Sequence, residues 1–199
     1  MKTCIFGGTF DPVHFGHINL ALNAKKLIQP DKMLIIPSYI PPHKGAELSS
    51  SSHHRLEMAK IAAEIVDCEV SDIEIKRNDV SFSVYTLEQL KKDGYGDIYF
   101  IMGADMCLCI EKWFEFKRVL SLMTIVTAPR RPDEYETLLS HAKHLKEAYD
   151  ASCIVGDFEV TEISSTALRE KIKAKEDVSK YIPQKAIEYI DKNRLYGIK

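Results

Sequence analysis

The chain has 199 residues, 45% of them hydrophobic and 28% charged, with a formal net charge of −2. These proportions describe a water-soluble globular protein, most simply one domain over residues 1–199 with a substantial core. They exclude a strongly basic nucleic-acid binder and a chain drawn to acidic membranes by its overall field, so any phosphate binding falls to local groups. No apolar run approaches the ~18 residues of a membrane span, and no signal-peptide pattern opens the chain, which points to a cytoplasmic protein. The five cysteines, Cys4, Cys68, Cys107, Cys109 and Cys153, contain no C-x-x-C pair. Small buried hydrophobes are the expected role for most of them.

In chain order, Thr3-Cys4-Ile5-Phe6 reads as a buried strand running into Gly7-Gly8-Thr9-Phe10-Asp11-Pro12-Val13-His14-Phe15-Gly16-His17, with an apolar helix from Ile18 to Ile28 behind it. Met33 to Ile36 is a short strand ended by Pro37, and Ser38 to Ser52 is a long loop carrying Pro41-Pro42-His43-Lys44. Met58, Ile61, Ala62 and Ile65 form one stripe at helical spacing. Val70 to Ile75 reads as a strand, and Val84 to Lys92 as a helix stopped by Asp93-Gly94. The continuous apolar run Ile98 to Met102 is that of a central parallel strand, and Gly103-Ala104-Asp105 follows it. Met123 to Thr127 and Cys153 to Val155 are further strands, separated by a polar helix over Asp133 to Tyr149. Two helices close the chain, near Thr166–Ala174 and Pro183–Lys192. This alternation predicts an α/β fold: a Rossmann-like, doubly wound, mostly parallel sheet with helices on both faces and the C-terminal helices (about 164–199) packed on it. Ligands of such sheets bind beyond the carboxyl ends of the strands, where the glycine turn and Gly103-Ala104-Asp105 both fall.

The glycine turn carries the chemistry. Gly7 and Gly8 are expected to supply positive φ and close approach to a ligand. The helix start behind them offers unpaired N–H groups and a partial positive charge to phosphate. His14 and His17 are three positions apart, so on a first helical turn they share a face and can donate to phosphate oxygens. The turn is neither G-x-x-x-x-G-K-S/T nor G-x-G-x-x-G. A zinc site would need a third ligand, and His43, His53 and His54 lack matching spacing. Farther on, Ser164, Ser165 and Thr166 are good N-caps, and the same hydroxyls and amides suit a terminal phosphate, with Arg169 one turn inside. Asp105 reads as a ligand or as the N-cap of Met106 to Ile110, and Trp113 as a packing residue or a stacking platform.

Residues 7–17 resemble the first motif of the HxGH nucleotidyltransferase superfamily, and Ile163-Ser164-Ser165-Thr166-Ala167-Leu168-Arg169 resembles its second, I-S-S-T-x-x-R. Within the superfamily the chain is most similar, over nearly its whole length, to the bacterial nicotinate mononucleotide adenylyltransferases. The resemblance implies in-line transfer of an adenylyl group from ATP, accompanied by Mg²⁺, to nicotinate mononucleotide without a covalent enzyme intermediate, in NAD biosynthesis. It implies ATP contacts at Gly7, Gly8, Thr9, Phe10, His14, His17, Gly103, Asp105, Ile163, Ser164, Ser165, Thr166 and Arg169. His17 and His14 are the implied catalytic pair, and Ser164, Ser165, Thr166 and Arg169 hold the β- and γ-phosphates. Acceptor contacts are implied at Lys44, at Thr86, and at Trp113 through the pattern G-A-D-x₇-W, with no dedicated metal site. Ser81 to Leu87 resembles the segment S-Y-T-x-D-T-L with departures at Phe82, Ser83 and Tyr85, and Arg130-Arg131-Pro132-Asp133 resembles an R-P-G turn in which neither arginine has an assigned role. The tail from Tyr181 to Tyr196 reads as structural. Expected partners are small molecules, with no nucleic acid and no membrane, and both a monomer and a homodimer are compatible. Two alternatives stay open: another HxGH transferase such as phosphopantetheine adenylyltransferase, or a non-catalytic ATP-binding sensor.

Overall fold

A computed structural model describes residues 1–42, 49–158, 160–161 and 163–197. In order, the chain forms β1 (Lys2–Gly8), α1 (Phe15–Ile28), β2 (Lys32–Pro37), α2 (Ser52–Val66), β3 (Glu69–Val70), α3 (Ile73–Arg77), α4 (Ser83–Lys92), β4 (Asp97–Ile101), α5 (Ala104–Leu108), α6 (Phe116–Leu122), β5 (Thr124–Thr127), α7 (Glu134–Tyr149), β6 (Ser152–Val155), α8 (Ser165–Lys173) and α9 (Gln184–Lys192). The strands make one sheet in the order β3-β2-β1-β4-β5-β6, with every neighbouring pair parallel. The winding direction reverses between β1 and β4, so a crevice opens at their carboxyl ends.

The strands read as unbroken apolar runs because both faces of the sheet are covered. Alternation sends Cys4, Phe6, Met33 and Ile35 to one face, against Ile18 of α1 and Met58 of α2. It sends Ile5, Leu34, Phe100 and Ile125 to the other, against Leu87 of α4, Val119 of α6 and Leu138 of α7. Leu168 and Ile172 of α8, Ala186 and Ile190 of α9, and Leu195 share the first of these cores, which is why the C-terminal segment docks there. Among the described residues no helix is long and apolar enough to cross a membrane.

The strand expected over Val70–Ile75 is a correction. Only Glu69 and Val70 pair with β2; the Lys76 N–H then closes a helical turn on the Asp72 carbonyl (2.8 Å), forming α3. The alternating Ile73 and Ile75 suggested a strand, but the residue that the fold buries is Glu74 between them. Its carboxylate accepts from the Thr86 hydroxyl of α4 (2.7 Å), a tertiary partner that overrides local alternation.

Ile190 tests the docking of the C-terminal segment, being 2% exposed and remote from the crevice. We expect Ile190→Ala to cost about 2–5 kcal/mol in urea unfolding, in one cooperative transition. A separate early transition, or a cost below about 1 kcal/mol, would contradict the shared core.

Candidate active site

Gly7 and Gly8 are the last residues of β1, paired with Ile36 and Pro37 of β2, and neither has the positive φ expected of it. Their role is space. A Cβ on Gly8 would lie 2.9 Å from the Phe10 ring, and one on Gly7 3.0 Å from the Phe100 ring. The left-handed residue of the turn is Phe10, with φ 53°. That fold-back buries its ring edge-on to Phe6 (centroids 5.5 Å apart) and to His17 (5.2 Å). Phe10 is therefore a core anchor outside the cavity lining, whereas Thr9 lines it.

The next residue, Asp11, is buried, and its carboxylate accepts from the Ser50 hydroxyl (2.5 Å), the Ser49 N–H (3.0 Å) and the Tyr196 phenol (2.7 Å). Burial, helped by that carboxylate, pushes the Tyr196 phenol far above its ordinary range. Beneath the turn lies Arg55, fully buried, donating to the carbonyls of Thr9 (3.3 Å), Ser38 and Tyr39 (2.8 Å). Burial lowers its pKa, and the Asp11 charge opposes that shift. Sequence reasoning missed Arg55. Its signal was a charged residue one turn before Met58 of the expected stripe: Arg55, Met58, Ala59 and Ala62 are buried on one face of α2, whereas Ile65 of that stripe is 43% exposed.

His14 is the N-cap of α1 rather than part of its first turn, and His17 is the third helical residue. The His17 N–H donates to His14 Nδ1, and the His14 N–H to His17 Nδ1, both at 3.3 Å. The rings stack with centroids 3.6 Å apart. Because each Nδ1 accepts, the proton of each neutral ring sits on Nε2, which makes Nε2 a donor. Two amides of the expected open helix mouth are already spent within the protein. The Phe15 N–H is taken by the Tyr181 carbonyl (2.8 Å) and that of His17 by His14.

The second motif meets the first. Ser164 caps α8, accepting from the Ala167 N–H (3.1 Å). The Ser165 hydroxyl donates to the Pro12 carbonyl (3.1 Å), and Arg169 donates to the Asp11 carbonyl (2.8 Å) and the Thr166 hydroxyl (3.1 Å). Arg169 braces the two motifs from behind and does not line the cavity; Ile163, Ser164, Ser165 and Thr166 do.

These elements surround a cavity of about 730 Å³. One wall is Gly7, Gly8, Thr9, His14, His17 and the Ser164–Thr166 turn. A second is Gly103, Asp105 and Arg130. Gly103, not Asp105, is the N-cap of α5, and a Cβ there would meet Arg130 Nη2 at 3.0 Å. Arg130 lies across it and pairs with the Asp105 carboxylate at 2.6 Å, while Arg131 turns away to Asp133 and Glu134. The structure thus separates two arginines that the sequence left equivalent.

The third wall is Glu74, Ser81, Phe82, Trp113 and Phe114. Trp113 is half-buried and packs at 73° to Phe100. Phe82 and Phe114 pack at 4.6 Å, with Tyr85 6.1 Å from Phe114, so two of the departures from the family segment form one aromatic cluster beside the indole. Thr86 does not reach the cavity. It is 1% exposed, donates to Glu74 and accepts from Arg77 (2.9 Å), so it acts through Glu74. Lys44 and His43 lie outside the described residues.

A parallel sheet with two helix starts joined over its switch point, and a pair of imidazoles between them, defines an α/β nucleotidyltransferase. Residues 5–171 match the family described as Cytidylyltransferase-like. The chain is 38% identical to a Clostridium tetani protein, named "Probable nicotinate-nucleotide adenylyltransferase", over 98% of both chains. It is 35% identical to a protein of the same name from Shewanella sp., covering 98% of this chain and 99% of that one. A Plasmodium falciparum nicotinic acid mononucleotide adenylyltransferase complexed with NaAD shares the fold with a TM-score of 0.82, at 22% identity over 100% of this chain and 98% of that chain. The chain belongs to the nicotinate-nucleotide adenylyltransferase family.

Glu74 gives the site a pH signature. Burial raises its pKa from 4.5, against hydrogen bonds from Thr86 and Ser81 and the Arg77 charge. The unfolded chain releases this proton near 4.5, while the folded chain holds it to higher pH. Its contribution to stability is therefore fully present below 4.5 and is lost as pH rises through the folded pKa. Denaturant unfolding at a series of pH values should show Glu74→Gln gaining on the unmodified protein across that window. A difference independent of pH would refute the assignment.

Proposed function

We infer that this chain joins ATP and nicotinate mononucleotide, giving deamido-NAD and pyrophosphate, in NAD biosynthesis. The observation that carries the reading is the direct junction of the two motifs, Ser165 to Pro12 and Arg169 to Asp11, around one cavity that also holds both histidines and the only tryptophan. The names of the relatives support the same acceptor.

The acceptor's 5′-phosphate is already anionic near pH 7, so its attack on the α-phosphorus needs no general base and no protein nucleophile. Positioning and charge neutralisation carry the rate. In this reading the Nε2 donors of His17 and His14 meet the oxygens of the α-phosphate as charge develops there. The Ser164–Thr166 turn holds the departing phosphates. Asp105, steadied by Arg130, accepts from the adenosine ribose, and the Trp113 face stacks on the cationic pyridine ring.

Magnesium is proposed to arrive with ATP as part of the substrate. Among the described residues no group of three or more His, Cys, Asp or Glu side chains could hold an ion, and the Asp105 carboxylate is committed to Arg130. Phosphate oxygens and water suit Mg²⁺ as its ligands. The shared core of sheet and C-terminal helices supports residues 1–199 acting as one domain. Five unpaired cysteines fit a reducing, cytoplasmic setting. The chemistry calls for no nucleic acid or membrane, and one chain supplies every residue named, so a homodimer is not needed to complete the site.

The test is pyrophosphate release from ATP and Mg²⁺ with nicotinate mononucleotide, nicotinamide mononucleotide or phosphopantetheine. We expect the greatest release with the first. Release with phosphopantetheine alone would move the chain to a sibling activity, and release with none would favour an ATP sensor. His17→Ala should lower kcat by about 10²–10³-fold. It should also cost about 1 kcal/mol of stability through the lost bond from the His14 N–H, too little to explain that loss. Unchanged turnover in this variant would overturn the mechanism.

A further inference from the structure

We propose that Ser38 is a substrate-contacting residue whose hydroxyl binds the ribose–phosphate part of the acceptor nucleotide; the inference rests on the adenylyl-transfer reading above. Ser38 directly follows β2, at the carboxyl edge of the sheet, and lines the cavity. It is 7% exposed, and its Oγ has no hydrogen-bond partner among the described residues.

The backbone groups around that hydroxyl are committed elsewhere. The Ser38 N–H donates to the Gly8 carbonyl (2.9 Å), and its own carbonyl accepts from the buried Arg55 guanidinium. The next residue is pinned too. The Tyr39 N–H donates to Ser81 Oγ (2.8 Å), and the Tyr39 carbonyl accepts from Arg55 (2.8 Å). Two hydroxyls nearby are spent within the protein, Ser81 on Tyr39 and Thr86 on Glu74. A buried hydroxyl left without a partner destabilises a fold. Held on a rigid backbone, in a residue that lines a ligand cavity, it is matched instead by a group that the ligand brings.

Its place in the chain of contacts says which group. On one side Ser38 bonds to Gly8, next to Thr9 and the imidazoles, where the adenylyl group is transferred. On the other, Tyr39 bonds to Ser81, which precedes Phe82 of the aromatic wall. Between the reacting phosphate and the stacked ring lies the acceptor's sugar–phosphate, rich in oxygens that pair with a hydroxyl.

The test is steady-state kinetics of Ser38→Ala with nicotinate and nicotinamide mononucleotides, alongside the melting temperature of the free protein. We expect KM for both acceptors to rise by about tenfold and by the same factor, because Ser38 does not read the ring substituent. KM for ATP should stay unchanged. The melting temperature should hold or rise, because the variant removes a polar group that has no partner in the free protein. The inference is overturned by an unchanged acceptor KM, by an equal rise for ATP, by a changed ratio between the two acceptors, or by a lowered melting temperature. If the unmodified protein transfers to neither acceptor, the functional reading falls and this inference with it. If it transfers normally and Ser38→Ala behaves identically, only this inference falls.

Discussion

Two backbone carbonyls, those of Asp11 and Pro12, hold the late helix start against the early one, through Arg169 and Ser165. The same turn fixes more than that pair. The Asp11 carboxylate collects Ser49, Ser50 and Tyr196, so the start of the second helix region and the C-terminal turn converge on one buried negative charge. A buried carboxylate is tolerable only when its hydrogen bonds are met, and losing them leaves an uncompensated charge. Through its carbonyl and its carboxylate together, Asp11 makes the cavity depend on segments far apart in sequence.

The histidines show how one pair of side chains can serve two purposes. Their Nδ1 atoms close the start of α1, which consumes an amide that would otherwise face a ligand. In exchange, both rings are stacked and oriented, and their remaining nitrogens carry the protons. The mouth of α1 therefore presents oriented imidazole N–H groups where a bare helix start would present backbone amides. Such pre-orientation costs nothing when charge develops on a bound phosphate.

Below them, Arg55 is a buried cation spent on three carbonyls of the β1 and β2 ends, with Asp11 as the opposing charge. It sets the backbone of Thr9 and Ser38, and hence the rigidity of the cavity floor. On the third wall, Phe82, Phe114 and Tyr85 build an aromatic cluster, of which Phe82 and Tyr85 are departures from the segment that residues 81–87 resemble. The Glu74–Thr86–Arg77 network stands behind it and fixes α3 against α4.

The order of strands and helices was legible in the sequence because covered parallel strands are continuous apolar runs and helices show their stripe. The two phosphate motifs were legible because glycine, histidine and the Ser-Ser-Thr cap are local signals with a local mechanism. Tertiary structure alone decided what each residue does within that frame. Gly7 and Gly8 are required for the space that Phe100 and Phe10 occupy, not for positive φ. Phe10, Arg169 and Thr86 support the cavity from behind, while Arg130, Glu74 and Ser38 line it. Residues 73–77 became a helix because Thr86 lies beside Glu74. Each of these outcomes depends on a partner between two and 158 residues away, and spacing along a chain carries no record of which distant atoms close-packing will bring within hydrogen-bond reach.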